Sequence, residues 1–260
     1  PNIFGTHWNT LTRYADNSDG ESYHFALTRP FYRLSSNWAF SLDIEQKKEE
    51  IKDYQLGDEI NLYDRKQKWF ETYAGFKIAE QGNRIHRLNV GITLDDTKFQ
   101  HIDETQFSAP EDRNLSSVWL EYQMLQTDYK KLFNINQFNR VEDINLGWQA
   151  RLRIGRLQSW LSADNPGWQL DSELAKVWQL SSDTFLLGNS RYQALWLKEI
   201  NQHLFSNQLQ LVHQLNNSSS AVGIPIIAHV GTNEVFLKHH ARGTNKHREL
   251  HPTGQDLGVL

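Results

Sequence analysis

Apolar and polar residues alternate with period two along most of this chain, the mark of strands that present one apolar face. Residues 38–45 place Trp38, Phe40, Leu42 and Ile44 on one side and Ala39, Ser41, Asp43 and Glu45 on the other. Residues 87–95 set Leu88, Val90, Ile92 and Leu94 against Arg87, Asn89, Gly91, Thr93 and Asp95. Residues 144–155 read as one longer strand, with Ile144, Leu146, Trp148, Ala150, Leu152 and Ile154 opposing Asn145, Gly147, Gln149, Arg151 and Arg153. Fainter copies occupy 23–28, 69–78 and 118–124. Across these segments the apolar faces carry no charge and one polar residue, Thr72. The opposite faces carry Asp43, Glu45, Glu71, Lys77, Arg87, Asp95, Glu121, Arg151 and Arg153.

A soluble antiparallel sheet packed on one face gives the same alternation, so the connections decide. The links at 29–38 and 78–86 are short, the second through Glu80-Gln81-Gly82-Asn83-Arg84. Asn17-Ser18-Asp19-Gly20 reads as a tight hairpin turn, because Asp-Gly supplies positive φ. The stretches 46–67 and 96–114 are long and charged and are expected to be structureless loops. Short turns at one end and long loops at the other are the habit of an outer-membrane barrel; two such loops argue against a compact soluble domain. Further strands are expected at 7–14, 168–178, 184–197 and 207–215, with Lys176 and Lys198 falling on mainly apolar faces. Residues 125–138 fit either an extension of the strand at 118 or a separate one. The expected fold is therefore an all-β, antiparallel transmembrane β-barrel (a meander), incomplete in this chain. A partial barrel of about eleven strands fills residues 1–217, and an off-pattern tail fills 218–260. Lipid-facing positions are Phe40, Leu42, Leu88, Val90, Ile92, Leu146, Trp148 and Leu152. Lumen-facing charges are Asp43, Glu45, Glu71, Arg87, Arg151 and Arg153, read first as a solvated charge network and second as a surface that docks a plug or loop.

Composition sharpens this picture. Mean hydropathy is −0.65, and no run approaches the 18 or more apolar residues of a spanning helix; barrel strands, short and half polar, escape such averages. A net charge of −4 gives no reason to expect a nucleic-acid partner. Cysteine is absent, so no disulfide framework or thiolate metal site is available. Nine Trp, nine Tyr and 13 Phe suit the aromatic girdles of a barrel or a sugar-binding surface. The chain opens at Pro1 without an export signal, and a mature or truncated piece is expected.

Little here points to bond chemistry. His239, His240, His247 and His251 gather in the tail, but in His247-Arg248-Glu249-Leu250-His251 an Arg follows the first His where the zinc-protease motif has Glu. Gly188-Asn189-Ser190-Arg191-Tyr192 begins like a nucleophile elbow and lacks the closing Gly. No catalytic residue, cofactor or metal ligand is assigned.

Several segments resemble the bacterial surface antigen barrel of the BamA/TamA family. They are Pro1-Asn2-Ile3-Phe4-Gly5-Thr6, Asp16-Asn17-Ser18-Asp19-Gly20, Arg29-Pro30-Phe31-Tyr32, Glu111-Asp112-Arg113 and Glu142-Asp143-Ile144-Asn145-Leu146-Gly147-Trp148-Gln149, in that order over residues 1–215. The resemblance implies a barrel of about sixteen strands in the bacterial outer membrane, preceded by POTRA domains that are absent here. It also implies insertion or translocation of polypeptides without cofactor or bond chemistry. The implied partners are outer-membrane lipid, an unfolded or exported polypeptide client, and periplasmic or accessory assembly subunits. The family's inward loop carries Arg-Gly and an aromatic; the Arg-Gly of this chain, Arg242-Gly243, is followed by Thr244. A two-partner secretion transporter, a passive porin and a soluble β-sandwich binding module are the competing readings.

Overall fold

A computed structural model describes residues 6–56, 58–102, 109–133, 141–198, 201–215 and 220–233. The chain first forms β1 (Asn9–Asn17), β2 (Gly20–Arg29), β3 (Trp38–Gln55), β4 (Asp58–Gln81) and β5 (Arg84–His101). A short β6 (Arg113–Asn114), then β7 (Ser117–Gln126), β8 (Tyr129–Phe133), β9 (Val141–Asn145) and β10 (Gln149–Leu157) follow. The described chain closes with β11 (Gly167–Gln179), β12 (Thr184–Trp196), β13 (Asn201–Leu215) and β14 (Ser220–Asn233). The main sheet runs β1-β2-β3-β4-β5-β7-β10-β11-β12-β13-β14, with β6 beside β5 and a separate β8-β9 hairpin. It is an antiparallel meander whose outermost strands, among the described residues, are β1 and β14.

Two compact units divide the chain. The first draws on Pro1–Ala79, Arg87–Tyr122 and Arg153–Gln169, the second on Glu80–His86, Gln123–Leu152 and Leu170–Leu260.

The turn between β4 and β5 is set by local chemistry. Gly82, at φ +60°, takes the first place of the two-residue Gly82-Asn83 link between β4 and β5, where a type II′ turn needs positive φ. Register then aligns the apolar band. Phe25 pairs Ile44 and Leu27 pairs Leu42, while Ile44 pairs Phe70 and Phe40 pairs Ala74. On β4 this face runs from Phe70 to Ile78, close to the ~9–11 residues of a tilted spanning strand. One step beyond, Gln46 pairs Lys68 and the band ends.

The expected loop 46–67 is instead a continuation of β3 and β4 into one long hairpin. Just past Ile44, over Glu45–Glu50 and the facing Asp64–Lys68, both faces are polar, so alternation vanishes while the backbone ladder persists. Ion pairs join its strands, Arg65 with Glu49 and Lys48 with Asp64 at 3.7 Å. Similarly, β5 runs on to His101 through part of the expected loop 96–114.

In the second unit, the expected single strand 144–155 breaks at Leu146–Trp148. Asn145 Oδ1 accepts the backbone N–H groups of Gly147 (3.0 Å) and Asp128 (2.9 Å), an Asx turn that redirects the chain. Gly147 lies against the Gln126 carbonyl, where a Cβ would collide. Of residues 125–138, 125–126 end β7 and 129–133 form β8, while 134–138 lie outside the described residues. The sheet also passes the boundary expected at residue 217: β14 pairs β13 from Leu215↔Ser220 to Gln202↔Asn233. Its Pro225 lacks a backbone donor, which the outermost of the described strands tolerates. The four tail histidines and Arg242-Gly243 lie outside the described residues.

Candidate functional site: the polar faces of the two units

The usual burial of a soluble sheet is inverted. In the first unit Phe76, Ile78 and Val90 are 53–54% exposed, and Trp38, Ile44, Leu94, Leu120 and Ile154 are also exposed. The polar side is the covered one, with Ser41, Asn89 and Glu121 at 2–3% and Glu71 at 6%. In water, covering each large apolar side chain is worth roughly 1.5–3 kcal/mol. A sheet that leaves this band open and hides its carboxylates suits a surrounding apolar solvent.

Of the expected lipid-facing residues, Val90 and Leu152 are exposed, and Phe40, Leu42, Leu88 and Ile92 are half-buried. Trp148 stands edge-on to Trp178 at 6.0 Å. Leu146 departs from expectation. The break after β9 turns it against a cluster of Ile144, Val177, Phe185, Leu187 and Val212; Val177 shares its strand face with Asp171 and Glu173. Lys176, on the apolar face of β11, is accommodated by donating from Nζ to the Leu146 carbonyl at 2.7 Å, 5.7 Å from the Trp148 ring centre. Lys198 is exposed beyond the end of β12.

The expected lumen charges separate into distinct sets. Arg153 donates from Nε to Glu121 at 2.7 Å and from a terminal nitrogen to Glu71 at 3.1 Å. Thr93 donates to Glu71 at 2.8 Å, the Trp119 indole N–H donates to Thr93 at 2.9 Å, and Asn89 donates to Glu121 at 2.9 Å. The guanidinium lies 3.7 Å from the Trp119 ring centre. Gly91 is what lets that indole lie flat on β5, since a Cβ there would strike the ring. This first-unit cluster is largely buried and tightly bonded; removing one member strands a buried charge at about 3–5 kcal/mol. Beside it, Asp43 bonds His24 at 2.9 Å and faces Glu71 across the ladder. Glu45 pairs Lys47 at 3.4 Å, and Arg87 lies 4.2 Å from the Phe31 ring centre.

Arg151 belongs to a second network, in the second unit. It reaches Asp171 at 2.5 Å and Glu173 at 3.5 Å. Arg191 and Gln193 donate to Asp171 at 2.7 and 2.8 Å, and Asn189 donates to Glu173 at 2.9 Å. Two cations face two carboxylates, and the carboxylates are 17–18% exposed. Nearby, a cleft of about 180 Å³ opens among Asn145, Gln149, Asn189, Gln208 and Gln210, with Gly147 and Gly188 also lining it.

Sequence reasoning joined Arg151 and Arg153 because they share a strand face. It missed Asp171, Glu173, Asn189, Arg191 and Gln193, although the odd-numbered positions of β11 and β12 carried the signal. Ser190 of the elbow-like stretch sits within β12 and donates to Asn207 at 2.6 Å, with no histidine in that bond. Among the described residues no group of three or more His, Cys, Asp or Glu could hold a metal ion.

No family model matches the chain. No curated protein matches it either. Among solved structures it is similar to BamA from Haemophilus ducreyi lacking POTRA domains 1–3, at 11% identity and a TM-score of 0.55. The alignment covers 90% of this chain and 54% of that one, so the chain spans about half the length of the structure it matches. The fold is thus an all-β antiparallel meander of the BamA barrel kind, not closed among the described residues.

Proposed function

We propose that this chain is the membrane-embedded portion of a bacterial outer-membrane protein that inserts or translocates polypeptides. The observation that carries the membrane half of this reading is the inverted burial: an exposed apolar band, in register across β2, β3 and β4, backed by buried ion pairs. The likeness to a BamA barrel supports the polypeptide half. In this reading the apolar band meets outer-membrane lipid and the polar faces meet an unfolded or exported client. Periplasmic or accessory subunits complete the machine, and no bond is made or broken.

The test is reconstitution of the chain into phospholipid vesicles, followed by addition of a urea-denatured eight-stranded outer-membrane protein. Faster client folding than in empty vesicles, read by heat-modifiable gel mobility, is expected. Unchanged client folding with steady ion conductance would move the passive porin to first place. A monomer folded in buffer without amphiphile would favour the soluble binding module.

A further inference from the structure

We infer that the cleft on the polar face of the second unit is a binding site for an extended polypeptide main chain, held by side-chain amides. This rests on the proposed handling of a polypeptide client and names where that client is gripped.

Asn145 carries the argument. It is 5% exposed and lines the cleft. Its Oδ1 accepts two backbone N–H groups, from Gly147 and Asp128. Both partners are donors, so the orientation of the amide is fixed: the oxygen faces them and the nitrogen faces away. That Nδ2 is buried and has no hydrogen-bond partner among the described residues. A buried donor left unmade costs about 1–3 kcal/mol; in this inference the cleft lining shifts as the client seats, and a client carbonyl oxygen then reaches the nitrogen and removes that cost.

The other amides extend the row. Asn189 and Gln208 are direct partners across β12 and β13, and Gln210 follows two places along opposite Leu187. Gln149, at the start of β10, adds another. Side-chain amides offer both donors and acceptors, the repertoire of a peptide main chain, and they do so without fixing client sequence. The cleft lining contains no aromatic ring, and so lacks the flat platform on which a sugar would stack; this favours a peptide over a glycan.

The test uses the full chain in detergent micelles and a fluorescein-labelled, uncharged decapeptide of alternating Thr and Val, read by anisotropy. Maltohexaose serves as the glycan probe. Asn145→Asp keeps the acceptor for both backbone N–H groups and removes the free donor. It is expected to weaken peptide binding at least tenfold with heat-modifiable mobility unchanged. Gln208→Leu with Gln210→Leu, distant from the Asx turn, is expected to weaken binding at least threefold and stands alone if Asn145→Asp does not fold. Wild-type affinity in the folded variants, or displacement of the peptide by maltohexaose, would overturn the inference. The client-folding assay separates the two proposals: accelerated folding with cleft variants that bind peptide normally defeats the cleft alone. Cleft binding without accelerated folding defeats the broader function alone.

Discussion

The polar faces of the two units are built from one alternating pattern but reach different ends. In the first unit, Arg153 is shared by two carboxylates that are almost fully buried, roofed by Trp119 and tied down by Thr93 and Asn89. In the second, Arg151 and Arg191 balance Asp171 and Glu173 at carboxylates that keep some solvent, and the surrounding amides line a cleft. The first face is spent on holding strands together, whereas the second keeps hydrogen-bonding capacity in reserve. A strand pattern therefore specifies which side is polar, and the depth of burial decides whether that polarity is structural or available.

Substitutions graded by burial probe this difference. Arg153→Leu should have the largest effect, lowering stability by about 3–5 kcal/mol in urea titrations of micelle-folded protein, because Glu71 and Glu121 are left buried together. A loss below about 1 kcal/mol would mean that water reaches this cluster freely. Val90→Arg in the first unit and Leu209→Arg in the second should cost alike, about 2–4 kcal/mol each, since both positions are exposed on the apolar face. Unequal costs would show that the units differ in their lipid-side environment as well. Arg151→Leu should cost less, about 1–2 kcal/mol, with Arg191 still compensating Asp171. If Arg151→Leu equals Arg153→Leu, the distinction between the two faces fails. Trp119→Phe should be the mildest, about 0.5–1.5 kcal/mol for the lost bond to Thr93.

Much of this architecture was readable from residues because the apolar band imposes period two wherever a strand meets it. Phe40, Leu42, Val90 and Leu152 declared themselves in that way. Where the band stops, so does the signal. Next to the band the β3–β4 extension is charged on both faces, so Glu49 and Arg65 looked like loop residues although they pair across a ladder. The break at Leu146–Trp148 was hidden for the opposite reason: alternation continues through it, while the Asx bond of Asn145 that bends the chain leaves no mark on hydropathy. Pro225 masked β14, because a proline argues against a strand unless the strand is known to be terminal. The partners of Arg151 and Arg153 lie on other strands, up to 82 residues away. Face parity shows which residues can meet, but register is needed to show which do.

The chain has no cysteine, so single cysteines can be placed at positions 87, 88, 90, 92, 94 and 95 of β5 and labelled with a fluorophore. The decisive measurement is quenching of those labels by brominated lipid after folding into vesicles. Strong quenching at 88, 90, 92 and 94 and weak quenching at 87 and 95 is the predicted result. Uniform quenching along the strand, or the reverse phase, would contradict the claim that the exposed apolar band faces lipid.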